Sequence, residues 1–234
     1  VRRPLLTAAV AALAFFALCG PASPRGGIIQ IHGAPSGSHL RLTVSGGQLL
    51  VNGSPASESR SGCRLAAGEA TATASCGLVE AEAVVIEMGP SDDKIEVLDP
   101  LPVPLTAYLG SGSDKLIGNE EPDTCYPQGT ARNRCIGGGG KDICISAPVN
   151  TDCVGGPGND YCRTSAGSDG CWGGPGRDVC LMGAGEDGCH GEGGDDRLYG
   201  GGGADQLYGG DGKDYCDGGP GIGRSHECEE GPRR

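Results

Sequence analysis

Large apolar side chains are scarce in this chain of 234 residues: one Trp, two Phe, six Tyr and two Met. A chain so poor in them cannot fill a globular core of ordinary thickness, so something else must offset the entropy of ordering the backbone. Basic residues are also few, 18 against 30 Asp and Glu. A formal charge of −12 lacks the Lys and Arg clusters that nucleic-acid phosphates demand. No apolar run after residue 18 is long enough to span a membrane as a helix, and no long amphipathic helix pattern occurs. The four histidines, His32, His39, His190 and His226, are scattered. No serine has a nucleophile-elbow context, and the glycine runs precede short strands rather than the helix of a phosphate-binding loop. C-x-x-C pairs, the usual zinc spacing, are missing. These absences count against an enzyme.

Residues 1–22 read as an export signal, with Arg2 and Arg3, an apolar run from Leu5 to Leu18, and Gly20-Pro21-Ala22 as a small-residue cleavage site. Its removal takes away two bases and Cys19, leaving 16 basic and 30 acidic residues, a charge of −14, and twelve of the thirteen cysteines. An even cysteine count in an exported chain reads as disulfides. The expected location is extracellular, with no membrane span in the mature chain.

Residues 23–36 form a Pro/Gly/Ser stretch expected to be a flexible leader. Residues 37–108 read as a β-rich cap region. His39-Leu40-Arg41-Leu42-Thr43-Val44 alternates, Ser45-Gly46-Gly47 turns, and Gln48-Leu49-Leu50-Val51 returns, a hairpin signal. Cys63 and Cys76 are the obvious local pair. Asp93-Lys94-Ile95 echoes Asp114-Lys115-Leu116, so this region reads as a degenerate lead-in that caps the C-terminal half of the chain.

What the chain has in abundance is glycine, 46 residues, and from residue 109 to 228 it recurs with a period of nine. Windows begin at Leu109, Gly118, Pro127, Gly137, Ser146, Gly155, Thr164, Gly173, Met182, Gly191, Gly200, Gly209 and Gly218, that of Pro127 having one extra residue. Aspartate fills the sixth place in ten of these thirteen windows. A fixed short period means stacked turns of a solenoid. Glycine at places one, two and four permits bent backbone that turns carbonyl oxygens toward a common point. Carboxylate and carbonyl oxygens without softer donors favour Ca²⁺.

The pattern resembles the RTX calcium-binding repeats, G-G-x-G-x-D-x-U-x with U a large apolar residue, as in Gly155-Gly156-Pro157-Gly158-Asn159-Asp160-Tyr161-Cys162-Arg163. The resemblance implies an all-β fold, a right-handed parallel β-roll with two nonapeptides per coil. It also implies calcium held between loops eighteen residues apart by sixth-place carboxylates and loop carbonyls. The candidate metal ligands are Asp114, Asp142, Asp160, Asp169, Asp178, Asp187, Asp196, Asp205 and Asp214. One edge of the roll carries five good loops, ending in Asp142, Asp160, Asp178, Asp196 and Asp214, and the other an intact run of only Asp169, Asp187 and Asp205. About six ions are expected on that geometry, four on the first edge and two on the second.

The chain departs from the family at place eight, which is Cys at 125, 144, 153, 162, 171, 180, 189 and 216, with Cys135 one residue late and Cys228 ending the run. In a β-roll, consecutive place-eight side chains face each other across the core. Stacked neighbours have parallel Cβ vectors about 4.8 Å apart, wider than a disulfide prefers. The expected bridges are therefore Cys125–Cys135, Cys144–Cys153, Cys162–Cys171, Cys180–Cys189 and Cys216–Cys228, although eight cysteines alone allow about 105 connectivities.

The sequence thus suggests a secreted, non-catalytic calcium-binding repeat protein, a disulfide-stapled structural or surface module. The alternative is an adhesin or partner-binding protein that docks a cell-surface or protein partner on the outward side chains Ile143, Ile145, Tyr161, Val179, Leu181, Tyr199 and Tyr215.

Overall fold

A computed structural model describes residues 27–32, 37–52, 63–66, 73–78, 81–129, 131–221, 223–229 and 231. The expected signal segment, 1–22, lies outside them. Every helix or strand among the described residues is a strand, and the strands stack into a parallel β-roll of two facing sheets.

The nine-stranded sheet runs Gly27–His32, Ala81–Glu87, Leu105–Gly110, Asp123–Pro127, then Ile143–Ile145, Tyr161–Arg163, Val179–Leu181, Arg197–Tyr199 and Tyr215–Asp217. The facing twelve-stranded sheet takes the alternate strands. Its parallel part runs from Arg224–His226 back through Gln206–Asp211, Gly188–Gly193, Gly170–Pro175, Thr151–Val154, Asn133–Ile136 and Lys115–Ile117 to Lys94–Val97 and His39–Ser45. An antiparallel extension of Gln48–Asn52, Thr73–Gly77 and Cys63–Ala66 completes it. Parallel stacking therefore continues without a break from the nonapeptide array into the cap.

The leader is corrected in part. Gly27–His32 is a strand paired in parallel with Ala81–Glu87, and Ile29 and Ile31 are buried. The alternation of Ile29-Gln30-Ile31 extends the sheet by one edge strand and puts both isoleucines in the core, which outweighs the turn-forming residues around them.

Register follows the repeat. Cys125, Cys144, Cys162, Cys180 and Leu198 lie in one line on the first sheet, and Cys135, Cys153, Cys171, Cys189 and Leu207 in another on the second. All are buried and belong to the same core as Ile86, Ile95 and Leu105 of the cap. Leucine and isoleucine fill the core in the cap, and cysteine fills most of it in the nonapeptide array, with Leu198 and Leu207 continuing the columns.

Among the described residues there are three cross-core disulfides, Cys125–Cys135, Cys144–Cys153 and Cys216–Cys228, with Cα separations of 6.2, 6.4 and 5.9 Å. Cys162, Cys171, Cys180 and Cys189, expected as two further bridges, are instead four buried thiols. In this stretch each sulfur has neighbours both across the core and along it. The Cys180 thiol donates to Met182 Sδ at 3.2 Å, and the surrounding thiols of Cys162, Cys180 and Cys189 hold that of Cys171 well below the usual range. Cys63 stands opposite Cys76 in the backbone register, but their side chains lie outside the described residues.

Side chains on the outer faces also align. On the second sheet, Trp172, His190, Tyr208 and His226 stack face to face with centroid spacings of 6.1, 4.7 and 5.1 Å. Two histidines that look scattered in sequence thus share one column. His39 bonds Glu96 at 2.8 Å, and His32 lies 3.2 Å from Glu87.

Candidate metal centre

The turns form two edges. Those leading into the nine-stranded sheet begin with Gly118, Gly137, Gly155, Gly173, Gly191 and Gly209 and make up the glycine edge. Those leading into the other sheet form the mixed edge, whose first places hold Met88, Leu109, Pro127, Ser146, Thr164 and Met182 before Gly200, and these six side chains are buried.

Each sixth-place aspartate folds back into its turn, and one carboxylate oxygen joins successive coils. On the glycine edge the N–H groups of Asp123, Asp142, Asp160, Asp178 and Asp196 donate to Oδ1 of Asp142, Asp160, Asp178, Asp196 and Asp214 at 2.7–2.8 Å. Glu229 Oε2 accepts from the Asp214 N–H at 2.8 Å and ends the series. On the mixed edge Ser38 donates to Asp93, Asp93 to Asp114, and Asp114 to Asn133. The ladder then breaks, because Asn133 donates to the Asn150 carbonyl and Thr151 has no carboxylate. It resumes from Thr151 through Asp169 and Asp187 to Asp205. Hydrogen bonds from backbone N–H to carboxylate are charge-assisted and stronger than neutral ones, so these aspartates hold coil to coil before any ion is considered.

All nine predicted ligands fall in these ladders and are buried. Four acidic or amide ladder members escaped the sequence reading of the site: Asp93, Asp123, Asn133 and Glu229. Asp93 was detectable, since Met88-Gly89-Pro90-Ser91-Asp92-Asp93 has the repeat's outline.

The second oxygen of each carboxylate is the informative one. Oδ2 of Asp93, Asp114, Asp142, Asp160, Asp169, Asp178, Asp187, Asp196, Asp205 and Asp214 is buried and has no hydrogen-bond partner among the described residues. An unpaired buried carboxylate oxygen is costly. Burial, with neighbouring carboxylates adding to it, pushes Asp142 and Asp178 up to about 7. Burial likewise raises Asp114 to about 7 and Asp160, Asp187 and Asp196 to about 6. Asp123 differs in which oxygen is engaged: its Oδ2 accepts the Asn119 N–H at 2.9 Å, and its buried Oδ1 has no partner among the described residues.

The glycine edge leaves space beside these oxygens. A Cβ at Gly155 would lie 2.3 Å from Asp160 Oδ2 and 2.6 Å from the Gly173 carbonyl oxygen, and one at Gly191 would lie 2.3 Å from Asp196 Oδ2 and 2.5 Å from the Gly209 carbonyl. Gly209 is similarly placed between Asp214 Oδ2 and the Glu227 carbonyl. Glycine is required at place two as well: Gly156 has φ +107°, and a Cβ there would meet the Gly138 carbonyl oxygen at 1.9 Å. Each cradle therefore pairs a charged oxygen lacking a donor with a carbonyl from the next coil, a donor set suited to a hard divalent ion. On the mixed edge, a Cβ at Gly200 would likewise lie 2.6 Å from Asp205 Oδ2.

Residues 154–180 and 190–224 match the RTX calcium-binding nonapeptide repeat, in four copies. These segments are RTX calcium-binding repeats. Calcium is accordingly their ion, in agreement with the hard oxygen donors of the cradles. No curated protein and no solved structure matches the chain.

Proposed function

We propose that this chain is an exported, non-catalytic calcium-binding RTX protein whose disulfide-braced roll serves as a structural or surface module. The observation that carries the reading is the row of buried, unpartnered Oδ2 atoms beside glycine cradles. Asp142, Asp160, Asp178, Asp196 and Asp214 define five such loops, and the four gaps between neighbours are the main ion sites. On the mixed edge, buried side chains at Ser146, Thr164 and Met182 occupy the first place, so Asp169 and Asp187 serve the ladder more than the ion. Asp205, and Asp114 in the lead-in, are secondary ligands. Binding the ion replaces a destabilised proton-or-charge choice at each carboxylate with a paired charge, which links calcium to stability.

Calcium titration followed by calorimetry tests the reading. The expected result is uptake with a rise in Tm; no uptake at millimolar calcium would overturn it.

The alternative, a partner-binding protein, draws on the half-buried outward residues Ile143, Ile145, Tyr161, Val179 and Leu181. Oligomers dispersed by Tyr161→Asp would favour it; a monomer unchanged by that substitution would dispose of it.

A further inference from the structure

The middle of the core holds a cluster of sulfur atoms that calcium does not explain. Cys162 and Cys180 lie in register on one sheet, and Cys171 and Cys189 on the other. All four are buried thiols. The sulfurs of Cys162, Cys171 and Cys180 lie within 4.8 Å of one another. Cys189 is within hydrogen-bonding reach of Cys171.

A fifth sulfur comes from an unexpected place. Met182 stands at the first place of its turn, where Gly200 stands one coil later, and it is one of two methionines in the chain. Its side chain is 6% exposed, and Sδ lies 3.2 Å from Cys180 Sγ. Cys180 thus has a buried thioether beside it.

Three sulfurs around one ion at the usual metal–sulfur distance of about 2.3 Å are roughly 4 Å apart, within the spacing seen here. Thiolate and thioether donors select soft ions, monovalent copper above all, while oxygen donors select calcium. Zinc uses thiolate, imidazole and carboxylate rather than thioether. We propose that Cys162, Cys171, Cys180 and Met182 form a site for a soft monovalent metal ion of the copper(I) class, with Cys189 as a neighbouring thiol. Each cysteine that ligates releases its S–H proton to solvent, and no electron is transferred. The ion enters while the roll assembles, since the finished core encloses the sulfurs. This inference does not depend on the calcium sites.

The sequence conceals such a site because metal-binding cysteines are ordinarily sought at C-x-x-C spacing. In a roll, residues nine and eighteen apart are neighbours instead.

The test unfolds the full chain with its three cross-core disulfides intact, refolds it anaerobically with calcium and copper(I), then challenges it with bicinchoninate as a competing chelator. One copper per chain should be retained, and X-ray absorption at the copper edge should show only sulfur neighbours. Met182→Leu, which preserves the packing volume, should weaken retention about tenfold. Cys171→Ser should lose it, with calcium uptake and the strand signal in circular dichroism reporting whether that variant folds. Should Cys171→Ser not fold, Met182→Leu decides alone. Three outcomes would each overturn the proposal: no copper retained, retention unchanged by Met182→Leu, or zinc held equally well by the protein and that variant. Recovery of Cys162–Cys171 and Cys180–Cys189 disulfides from the protein as isolated would also overturn it.

Discussion

The two edges of the roll use the same aspartate ladder yet differ in what surrounds it. On the glycine edge the ladder runs unbroken from Asp123 to Asp214, and glycine opens every turn from Gly118 to Gly209. On the mixed edge it breaks after Asn133, and buried Ser146, Thr164 and Met182 stand at the first place. The comparison separates two roles of one residue. Oδ1 joins coils on both edges, so aspartate at place six is a structural device from Asp142 to Asp214 on one edge and at Asp93, Asp114, Asp169, Asp187 and Asp205 on the other. On the proposed reading, Oδ2 serves as a metal ligand only where place one leaves room.

The strongest way to break this comparison is to fill a glycine cradle. Gly155→Val places carbon against Asp160 Oδ2 and the Gly173 carbonyl, and should remove at least one calcium ion and lower Tm in calcium. The converse, Thr164→Gly, should gain capacity beside Asp169. Equilibrium dialysis counts the ions in both, and equal behaviour of the two edges would dissolve the distinction.

A smaller effect separates the two oxygens. Asn133 already accepts the Asp114 N–H through its amide oxygen, so Asp178→Asn should keep the ladder while removing the charge. Calcium affinity should fall, whereas Tm in chelator should hold or rise. Asp178→Ala should lose both properties, with a stability loss of about 1–3 kcal/mol from the orphaned Asp160 N–H.

Acidity gives the next contrast. The folded pKa values of Asp142 and Asp178 are raised to about 7 by burial, with neighbouring carboxylates adding to it. Between the ordinary carboxylate value and about 7 the calcium-free folded state binds more protons than the unfolded chain, so its stability falls as pH rises through that window. Thermal melts in chelator should therefore improve from pH 7.5 to pH 5. With calcium present the trend should reverse, because protons compete for the same oxygens. A chelated protein that melts earlier at pH 5 would contradict the burial argument.

The smallest effect concerns backbone strain. Glu192 holds φ +76° at a place two where glycine stands in the neighbouring coils. Glu192→Gly should stabilise the roll by up to about 1 kcal/mol, read as a modest rise in Tm.

Much of this architecture was legible because a nine-residue period constrains many residues at once. The alternation of sheets, the burial of place eight and the neighbouring of Cys125 with Cys135 all stem from it. The site was harder to read where spacing drifts. Asp93 precedes Asp114 by 21 residues, Asn133 follows it by 19, and Glu229 follows Asp214 by only 15. Each still closes the ladder, because one hydrogen bond needs only an oxygen at the right height. Oxygen sharing was hidden for a different reason, since the type of residue at place six does not say which oxygen is engaged. Cysteine count could not reveal that four thiols in the middle of the column, each with neighbours in two directions, stay unpaired. The edge strand Gly27–His32 was obscured by the turn residues around it, although its alternating isoleucines pack against the cap.

One calcium count tests the central claim most directly. The ions bound by the unmodified protein should be compared with those bound by Asp160→Asn/Asp178→Asn on the glycine edge and Asp169→Asn/Asp187→Asn on the mixed edge. The glycine-edge pair should lose most of the bound calcium, and the mixed-edge pair should leave it nearly unchanged. Equal losses from the two pairs, or no calcium bound by the unmodified protein, would contradict the account.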